Sequence, residues 1–240
     1  IITRENCLGL FIIKKEVMIK MKIKGVIFDM DGLMLDTEKL LLKFWIKSAN
    51  EFGFDMKKEH VLGIRSLAAK YAIPKLQGIF GENFDYYAVR KRRIELMNKY
   101  IEENGVEKKP GLDKLLEYLK KHGYKIAVAT ATDKLRSENY LRSVAVLGYF
   151  DIMVCGPMVK NGKPAPDIYL KASELLNLDP SECLALEDSP NGILSAYRAG
   201  CRPVMIPDLT QPDHETSKLL YKKLDRLDSV IDLLENSDIN

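Results

Sequence analysis

Two aspartates follow a short apolar run near the start of the chain. The stretch 26–38 reads Val-Ile-Phe-Asp-Met-Asp-Gly-Leu-Met-Leu-Asp-Thr-Glu, so Asp29 and Asp31 come directly after β-branched and aromatic residues. Such a run, bounded by glycines, is typical of a buried strand. Ligands bind at the carboxyl ends of strands in open α/β sheets, so the two carboxylates suggest a metal and phosphate site. An ordinary acidic turn is the alternative, because Asp and Gly are common turn residues.

Two further loops carry groups that can hold an anion. The apolar run 126–129 ends in Thr130 and Ala131, ahead of a helical pattern, which places a hydroxyl and backbone N–H groups near a helix start. A later loop presents Lys163 between a glycine and two prolines. A cation held in this way suits a phosphate oxygen or a carboxylate. A helix cap at Thr130 and a helix-entry turn at Lys163 are the alternatives.

The apolar run 183–186 continues into Glu187 and Asp188. Adjacent acids that emerge from a buried strand are costly unless positive charge meets them. With Asp29 and Asp31 they offer hard oxygen ligands, for which Mg²⁺ held between carboxylates and a phosphate is the matching ion. Each feature has an ordinary explanation by itself, but four of them at the same kind of strand end favour a shared site.

Helix and strand patterns alternate after Pro110, which predicts an α/β fold with a doubly wound parallel sheet. Strands are expected at 125–130, 152–155, 183–186 and 203–206, and helices at 112–121, 133–146, after Pro166 and at 192–199. Only helical patterns occur between 37 and 107: one begins at a Thr37 cap, one covers 67–80 with a break at Pro74, and one covers 86–103.

The position of this helical stretch predicts the domain organisation. Because it follows the first strand, residues 37–107 are expected to form a small all-helical cap domain that acts as a lid over the site. Residues 21–36 and 108–240 are then the α/β core domain. Residues 1–20 form an N-terminal extension to which no role is assigned.

Composition excludes several classes of partner. With 37 basic and 34 acidic residues, the net charge of +3 indicates no nucleic-acid partner. The basic run 90–93 is interpreted as a solvated helix face. The apolar run 8–13 is too short to span a bilayer, so no membrane association is expected. Four cysteines without a Cys-x-x-Cys pair are typical of reduced thiols, which favours a cytoplasmic protein. A monomer or weak oligomer is expected.

Taken together, these motifs resemble the haloacid dehalogenase superfamily of phosphotransferases, and within it the group similar to beta-phosphoglucomutase. The resemblance covers roughly residues 22–235. Asp29 and Asp31 match the first family motif, and Thr130 and Lys163 match the second and third. The adjacent acids Glu187 and Asp188 match the fourth, in the same order and spacing.

The resemblance implies roles for these residues. Asp29 would attack phosphorus to form an aspartyl-phosphate, while Asp31 would act as general acid and then as base for water. Mg²⁺ would lie on the Asp29 carboxylate, the Asp31 backbone carbonyl and Asp188, supported by Glu187 and Ser189. An acid at the second position argues against the dehalogenase branch. The chemistry agrees, because two carboxylates in different environments can divide nucleophilic and acid–base roles.

The core motifs do not separate a phosphatase from a mutase. Beta-phosphoglucomutases place an Arg three residues after a cap Gly to hold a second phosphate, whereas here Ser66 takes that place and Arg65 comes one residue early. Arg65 is a candidate substrate-binding residue, although a surface position is the more ordinary expectation. Lys70 and Lys75 are candidates for a second cap cation.

This departure favours a Mg²⁺-dependent phosphatase acting on a small phosphomonoester, such as a phosphosugar or a nucleotide. A phosphosugar mutase that uses the same aspartyl-phosphate is the alternative enzyme. A catalytically idle binding protein on the same fold is the alternative from another class.

Overall fold

A computed structural model describes residues 22–238, and a six-stranded sheet lies at their centre. The strand order is β3-β2-β1-β4-β5-β6, and every neighbouring pair is parallel. The strands are β1 (Gly25–Phe28), β2 (Lys125–Thr130), β3 (Ile152–Cys155), β4 (Cys183–Glu187), β5 (Arg202–Met205) and β6 (Lys222–Lys223). The predicted doubly wound parallel sheet is therefore confirmed.

Ten α-helices lie among the described residues. They are α1 (Glu38–Glu51), α2 (Lys58–Leu62), α3 (Ala69–Phe80), α4 (Tyr86–Asn104), α5 (Leu112–Lys121), α6 (Lys134–Ser143), α7 (Asp167–Leu176), α8 (Pro190–Arg198), α9 (His214–Leu219) and α10 (Ser229–Asp238). Short 3₁₀ turns occur at Leu147–Tyr149, Gly156–Met158 and Pro180–Glu182. Within residues 22–238, no helix has both the length and the apolar character needed to cross a bilayer.

Both faces of the sheet are covered, which explains why its strands are continuous apolar runs. Val26 and Phe28 pack into one apolar cluster with α5, α6 and α10, whereas Ile27 packs into a second cluster with α7 and α8. Successive side chains of a strand point to opposite faces, so a sheet with helices on both sides needs apolar residues at every position.

The helices α1 to α4 form a helical insert, and the chain leaves the core before α1 and returns to it after α4 at the same place. They share an apolar cluster that includes Trp45, Leu76 and Phe84. The chain enters and leaves this helical insert through two paired segments, where the Asp36 N–H donates to the Glu107 carbonyl at 2.9 Å. The insert is all-helical, as predicted, and the domain boundaries drawn from the sequence stay a prediction.

Three details differ from the sequence-based expectations. Helix α3 runs unbroken through the exposed Pro74. The proline removes one backbone hydrogen bond, but the buried side chains of Ala72 and Leu76 hold the helix on either side of it. Thr37 precedes α1 but makes no side-chain cap. The two-residue β6 and the helices α2, α9 and α10 were not individually predicted. Cys155, Cys183 and Cys201 are buried free thiols, as expected, whereas Cys7 and the predicted 1–20 extension lie outside the described residues.

Candidate active site

The ends of β1, β2 and β4 meet at one edge of the sheet. Phe28 lies opposite Val128 of β2 and Leu186 of β4, so the residues that follow these strands emerge side by side. The Asp29 N–H extends the pairing by donating to the Leu186 carbonyl at 3.0 Å. The central position of β1 therefore brings Asp29 next to Glu187, although the two residues are far apart in the sequence.

Lys163 joins the carboxylates of two strand ends. Its Nζ donates to Asp29 Oδ1 at 2.5 Å, to Glu187 Oε1 at 2.6 Å and to the Ala129 carbonyl at 3.1 Å. The side chain is only 1% exposed. Burial alone would lower the pKa of Lys163, but the Asp29 and Glu187 carboxylates outweigh it and raise the pKa. The ammonium therefore stays charged and fixes the position of both acids.

Tyr169 is a site residue that the sequence did not reveal. It lies on α7, is fully buried, and its hydroxyl donates to Glu187 Oε1 at 2.5 Å. In the sequence, Tyr169 looks like one more apolar position on a buried helix face. The one signal available was its hydroxyl group, because a buried tyrosine hydroxyl needs a hydrogen-bond partner.

Asp31 is held by two hydroxyl groups at the mouth of the site. Thr37 Oγ1 donates to Asp31 Oδ1 at 2.7 Å, and Thr132 Oγ1 donates to Asp31 Oδ2 at 2.8 Å. The hydrogen bond from Thr37 to Asp31 explains why the Thr37 side chain does not cap α1. Thr130 is buried at the end of β2, and its Oγ1 accepts the Thr132 N–H at 3.1 Å. The loop after β2 thus presents Ala131 and Thr132 to the cavity described below.

Arg65 is not at the surface, which corrects the ordinary expectation for it. The residue is 5% exposed, its Nη2 donates to Asp188 Oδ2, and its Nη1 donates to Thr210 Oγ1 at 2.9 Å. Its Nε lies 3.1 Å from Glu38 Oε2, outside hydrogen-bond geometry. The loop 63–68 is drawn into the core by these acids, which are remote in sequence and therefore gave no local signal.

The same loop makes further contacts with the core. Ser189 Oγ donates to Ser66 Oγ at 2.9 Å, Asn191 Nδ2 donates to the Arg65 carbonyl at 2.8 Å, and the Ala68 N–H donates to the Lys163 carbonyl at 3.0 Å. The helical insert therefore closes directly over the strand ends.

The buried acids of the site outnumber its buried cations. At the strand ends Asp29, Glu38, Glu187 and Asp188 are four carboxylates, whereas the buried cations beside them, Lys163 and Arg65, supply two positive charges. Full ionisation of these groups leaves two negative charges. Burial raises the pKa of Asp29 and of Asp188 well above the usual range, against the attraction of Lys163 and Arg65 respectively. Burial likewise raises the pKa of Glu38 to about 8.

The donor set fits a divalent cation. Asp29, Glu187 and Asp188 each offer a carboxylate oxygen, and these oxygens lie within 4.8 Å of one another. Asp188 Oδ1 is buried and has no hydrogen-bond partner among the described residues. Hard oxygen ligands with an excess of two negative charges match the needs of Mg²⁺ or a similar ion.

Two glycines let the chain pass close to these acids. Gly32 has φ +86°, and a Cβ there would overlap the carboxylate of Asp188 and the side chain of Glu38. A Cβ on Gly192, in the first turn of α8, would overlap the Glu187 carboxylate. The helix start can therefore approach the acids only because this position lacks a side chain.

A cavity of about 400 Å³ opens between the strand ends and the helical insert. Asp29, Asp31 and Lys163 line one side of it. The opposite side includes residues of the insert, namely Trp45, Arg65, Lys70, Tyr86, Tyr87, Arg90 and Arg93. This size suits a small molecule rather than a polymer.

The basic run 90–93 is not simply a solvated face. Lys91 is exposed and Arg92 pairs with Glu51, but Arg93 is 5% exposed and lines the cavity. Buried residues of α4 recur at helical spacing: Tyr86, Val89, Arg93, Met97 and Ile101. That spacing was visible in the sequence and could have placed Arg93 on the inner face.

The structure thus brings together all the predicted carboxylates with Lys163, Ala131 and Arg65. Lys70 also lines the cavity, whereas Lys75 donates to the Gly63 carbonyl at 2.8 Å. The roles assigned to the site residues stay predictions.

Residues 26–206, more than half of the chain, match the family of haloacid dehalogenase-like hydrolases. The chain therefore belongs to this family, as its strand-end motifs predicted.

Two relatives indicate the class of reaction within the family. The chain is 34% identical over 177 residues to a phosphorylated carbohydrates phosphatase of Thermotoga maritima, covering 74% of this chain and 82% of the relative. It is 32% identical over 187 residues to hexitol phosphatase A of Escherichia coli, covering 78% and 84% respectively. The prediction of a haloacid dehalogenase-type phosphomonoester hydrolase is confirmed.

The fold is shared with a beta-phosphoglucomutase of Clostridium difficile, with a TM-score of 0.74 over 90% of this chain and 96% of that one. The two sequences are 24% identical, so this likeness shows the fold alone.

Proposed function

We propose that the protein is a Mg²⁺-dependent phosphatase that hydrolyses a small phosphomonoester through an aspartyl-phosphate on Asp29. The observation that carries the proposal is the pair Asp29 and Asp31 at the end of β1, facing a cavity that the helical insert closes. Because these two relatives are a phosphorylated carbohydrates phosphatase and a hexitol phosphatase, we expect phosphorylated carbohydrates or related polyols as the substrate class.

In the first step, an oxygen of the Asp29 carboxylate attacks phosphorus while the bond from phosphorus to the ester oxygen breaks. Lys163 holds Asp29 in one orientation by its 2.5 Å hydrogen bond, so little motion is needed for attack. Asp31, held by the hydroxyls of Thr37 and Thr132, donates its proton to the leaving oxygen. The products are the free alcohol and phosphorylated Asp29.

In the second step, water attacks the same phosphorus and gives a proton to the Asp31 carboxylate. The bond between phosphorus and the Asp29 oxygen breaks, which releases inorganic phosphate and restores both acids. Closure of the helical insert limits bulk water around the strand ends, and this protects the acyl phosphate until the ordered attack. The backbone N–H groups after Thr130 are suited to bind the phosphoryl oxygens throughout.

The Asp29 carboxylate, the Asp31 backbone carbonyl and Asp188 would hold the metal ion, with Glu187 and Ser189 in support. When bound, the ion neutralises phosphoryl charge and lowers the repulsion between the anionic substrate and the attacking carboxylate. The two excess negative charges among the buried groups at the strand ends and the unpartnered Asp188 Oδ1 support this assignment.

The test begins with a panel of phosphorylated metabolites, with Mg²⁺ and with a chelator present. We expect release of inorganic phosphate that depends on Mg²⁺ and falls by roughly 1,000-fold or more in Asp29→Asn, because the nucleophile is lost. Rapid acid quench with labelled substrate should trap label on wild-type Asp29. A variant that keeps wild-type turnover would remove Asp29 as nucleophile.

A phosphosugar mutase remains the second candidate, because Arg65, Lys70, Arg90 and Arg93 line the insert side of the cavity and could hold a second phosphate. Incubation with beta-glucose 1-phosphate and a trace of the 1,6-bisphosphate separates the two reactions. Glucose 6-phosphate without free phosphate would support the mutase, and free phosphate alone would exclude it.

A further inference from the structure

Arg93 is a buried cation without an acidic partner. In the described part of the chain its Nε has no hydrogen bond, and its Nη1 makes only a weak contact with Met97 Sδ at 3.8 Å. The centre of the guanidinium lies 5.4 Å from the Trp45 ring, which gives a cation–π contact but satisfies no N–H group. A guanidinium carries five donors, so most of the hydrogen-bonding capacity of Arg93 is free.

Two neighbouring cations, Arg136 and Arg90, repel Arg93. Burial lowers the pKa of Arg93 to about 10, and the neighbouring cations Arg136 and Arg90 add to this effect. Arg90 lies one helical turn before Arg93 and lines the same cavity. Arg136 also lines the cavity, but Asp133 Oδ2 accepts from its Nε at 2.5 Å. A buried charge in such surroundings is costly unless a negative group meets it.

The acids that line the cavity are already engaged elsewhere. Asp29 accepts from Lys163, and Glu38 lies beside Arg65. The carboxylate of Asp31 is the acidic group with the largest influence on Arg93, yet both of its oxygens accept hydrogen bonds from threonine hydroxyls. None of these carboxylates forms a hydrogen bond or an ion pair with Arg93 in the described residues, so an anionic group of a ligand can supply the missing partner.

We propose that Arg93, with Arg90 and Arg136 beside it, binds a second anionic group of the substrate, either a carboxylate or a phosphate. The proposal rests on the phosphatase function proposed above, which places the reacting phosphate at Asp29. Within the phosphorylated carbohydrates and related polyols proposed above, the preferred substrate is then one that carries an additional acid at its far end. Arginine forks bind carboxylate and phosphate groups with two parallel hydrogen bonds, which suits either group.

The size of the cavity agrees with this arrangement. A volume of about 400 Å³ accommodates a chain of a few carbon atoms with an acid at each end. The reacting phosphate would lie at the strand ends, and the second acid would lie between α4 of the insert and the start of α6, where Arg136 is located.

The first arm of the test compares matched substrates. Sorbitol 6-phosphate and 6-phosphogluconate differ by a terminal carboxylate, and fructose 1-phosphate and fructose 1,6-bisphosphate differ by a second phosphate. We expect the wild-type kcat/KM to be roughly 10- to 100-fold higher for the acidic member of one pair, as for hydrogen bonds to charged groups. The pair that responds tells carboxylate from phosphate.

The second arm compares variants in KM and kcat. Arg93→Gln should remove the preference, mainly by raising KM for the acidic substrate, so that the two members of the pair become alike. Arg93→Lys should restore part of the preference, because it keeps the charge but not the fork. Lys91→Gln, on the exposed side of the same helix, is the matched control and should keep the wild-type preference.

The third arm measures binding without turnover. Trp45 is the single tryptophan of the chain and lies next to Arg93, so its fluorescence reports on that end of the cavity. In an Asp29→Asn background, 6-phosphogluconate or fructose 1,6-bisphosphate should change the fluorescence and bind more tightly than its neutral partner. Adding Arg93→Gln should abolish that difference.

The outcomes separate this proposal from the proposed function. If para-nitrophenyl phosphate is hydrolysed but neither pair shows a preference in kinetics or binding, the second-acid site is wrong and the phosphatase stands. If nothing is hydrolysed but the acidic ligands still bind through Arg93, the phosphatase is wrong and the second-acid site stands.

Discussion

The two sides of the cavity treat a buried cation in opposite ways. On the strand side, Lys163 is surrounded by the carboxylates of Asp29 and Glu187 and by a backbone carbonyl. On the insert side, Arg93 is equally buried but has no carboxylate to pair with in the described structure. The strand side is thus organised before a substrate arrives, whereas the insert side is left with a charge that a ligand can satisfy.

This difference suggests a division of labour. The groups to which we assign the reaction, the proposed nucleophile Asp29, the proposed acid–base group Asp31 and the cation Lys163, are fixed by strand ends and by hydrogen bonds within the protein. The parts that select a substrate lie on helices that cover the site from above. Fixing the first set and leaving the second unsatisfied lets one chemical core act on different molecules as the insert changes.

Removing the cation of the strand side should have the largest effect. Lys163→Met leaves Asp29 and Glu187 buried without their partner, and breaking a buried ion pair in this way costs about 3–5 kcal/mol. Phosphatase activity should fall by at least about 100-fold, because Asp29, the proposed nucleophile, is no longer held in place. Urea unfolding in the absence of metal measures the stability change.

The exposed Lys160, three residues earlier, is the matched control for this substitution. Lys160→Met should change the free energy of unfolding by less than about 0.5 kcal/mol, as surface changes usually do. If both variants unfold at the same urea concentration as the wild type, the ion pairs of Lys163 with Asp29 and Glu187 do not stabilise the fold.

The same contrast governs what the sequence could predict. The strand side was predictable because its residues are local: each acid or hydroxyl directly follows a continuous apolar run, and a parallel sheet buried on both faces requires such runs. Strand β3 was predicted with its observed bounds for this reason. The two-residue β6 has no apolar run, since its lysines are exposed, and it was missed.

The insert side was less predictable because its contacts join distant segments. Arg65 meets Asp188 across 123 residues, and no local pattern records that pairing. Arg93 sits inside a run of four basic residues, so its charge suggested solvent although its helical spacing indicated the buried face. Whether a charged side chain is buried depends on the packing around it and on its function. Local sequence preference predicts neither of these.

Removing the cation of the insert side should change the free energy of unfolding in the opposite direction. Arg93→Met deletes a buried charge without an acidic partner and fills the site with a side chain of similar length. We expect the free energy of unfolding to rise by about 1–3 kcal/mol, the usual cost of a buried polar group without hydrogen bonds. The urea midpoint without ligand is the measurement, and preference for acidic substrates should be lost in the same variant.

Arg92→Met serves as the control, because Arg92 is half-buried on the same helix and already pairs with Glu51. It should not stabilise the protein. A loss of stability in Arg93→Met would mean that the contacts of Arg93 with Trp45 and Met97 outweigh its burial cost, and the contrast between the two sides would then fail.

The junction between the two sides should show the smallest effect. Lys109 Nζ donates to Asp36 Oδ1 at 3.0 Å and to Asp208 Oδ1 at 2.7 Å, where the chain enters and leaves the insert. Partial burial would raise the pKa of Asp36, but hydrogen bonds from Lys39 and Lys109 outweigh it and lower the pKa below the ordinary 3.8. A lowered carboxyl pKa stabilises the folded state above the ordinary pKa, and this stabilisation is lost as the pH falls through the folded value.

Asp36→Asn should therefore destabilise the protein at pH 6, by no more than about 1 kcal/mol because the group is partly solvated. The difference from the wild type should shrink as the pH is lowered below the ordinary value of 3.8. Urea unfolding of both proteins across this range measures it, with Glu103→Gln on the exposed face of α4 as the control. Equal stability of Asp36→Asn and wild type at pH 6 would show that the junction is held by its backbone pairing, so that the ion pairs of the molecule matter only where they are buried at the site.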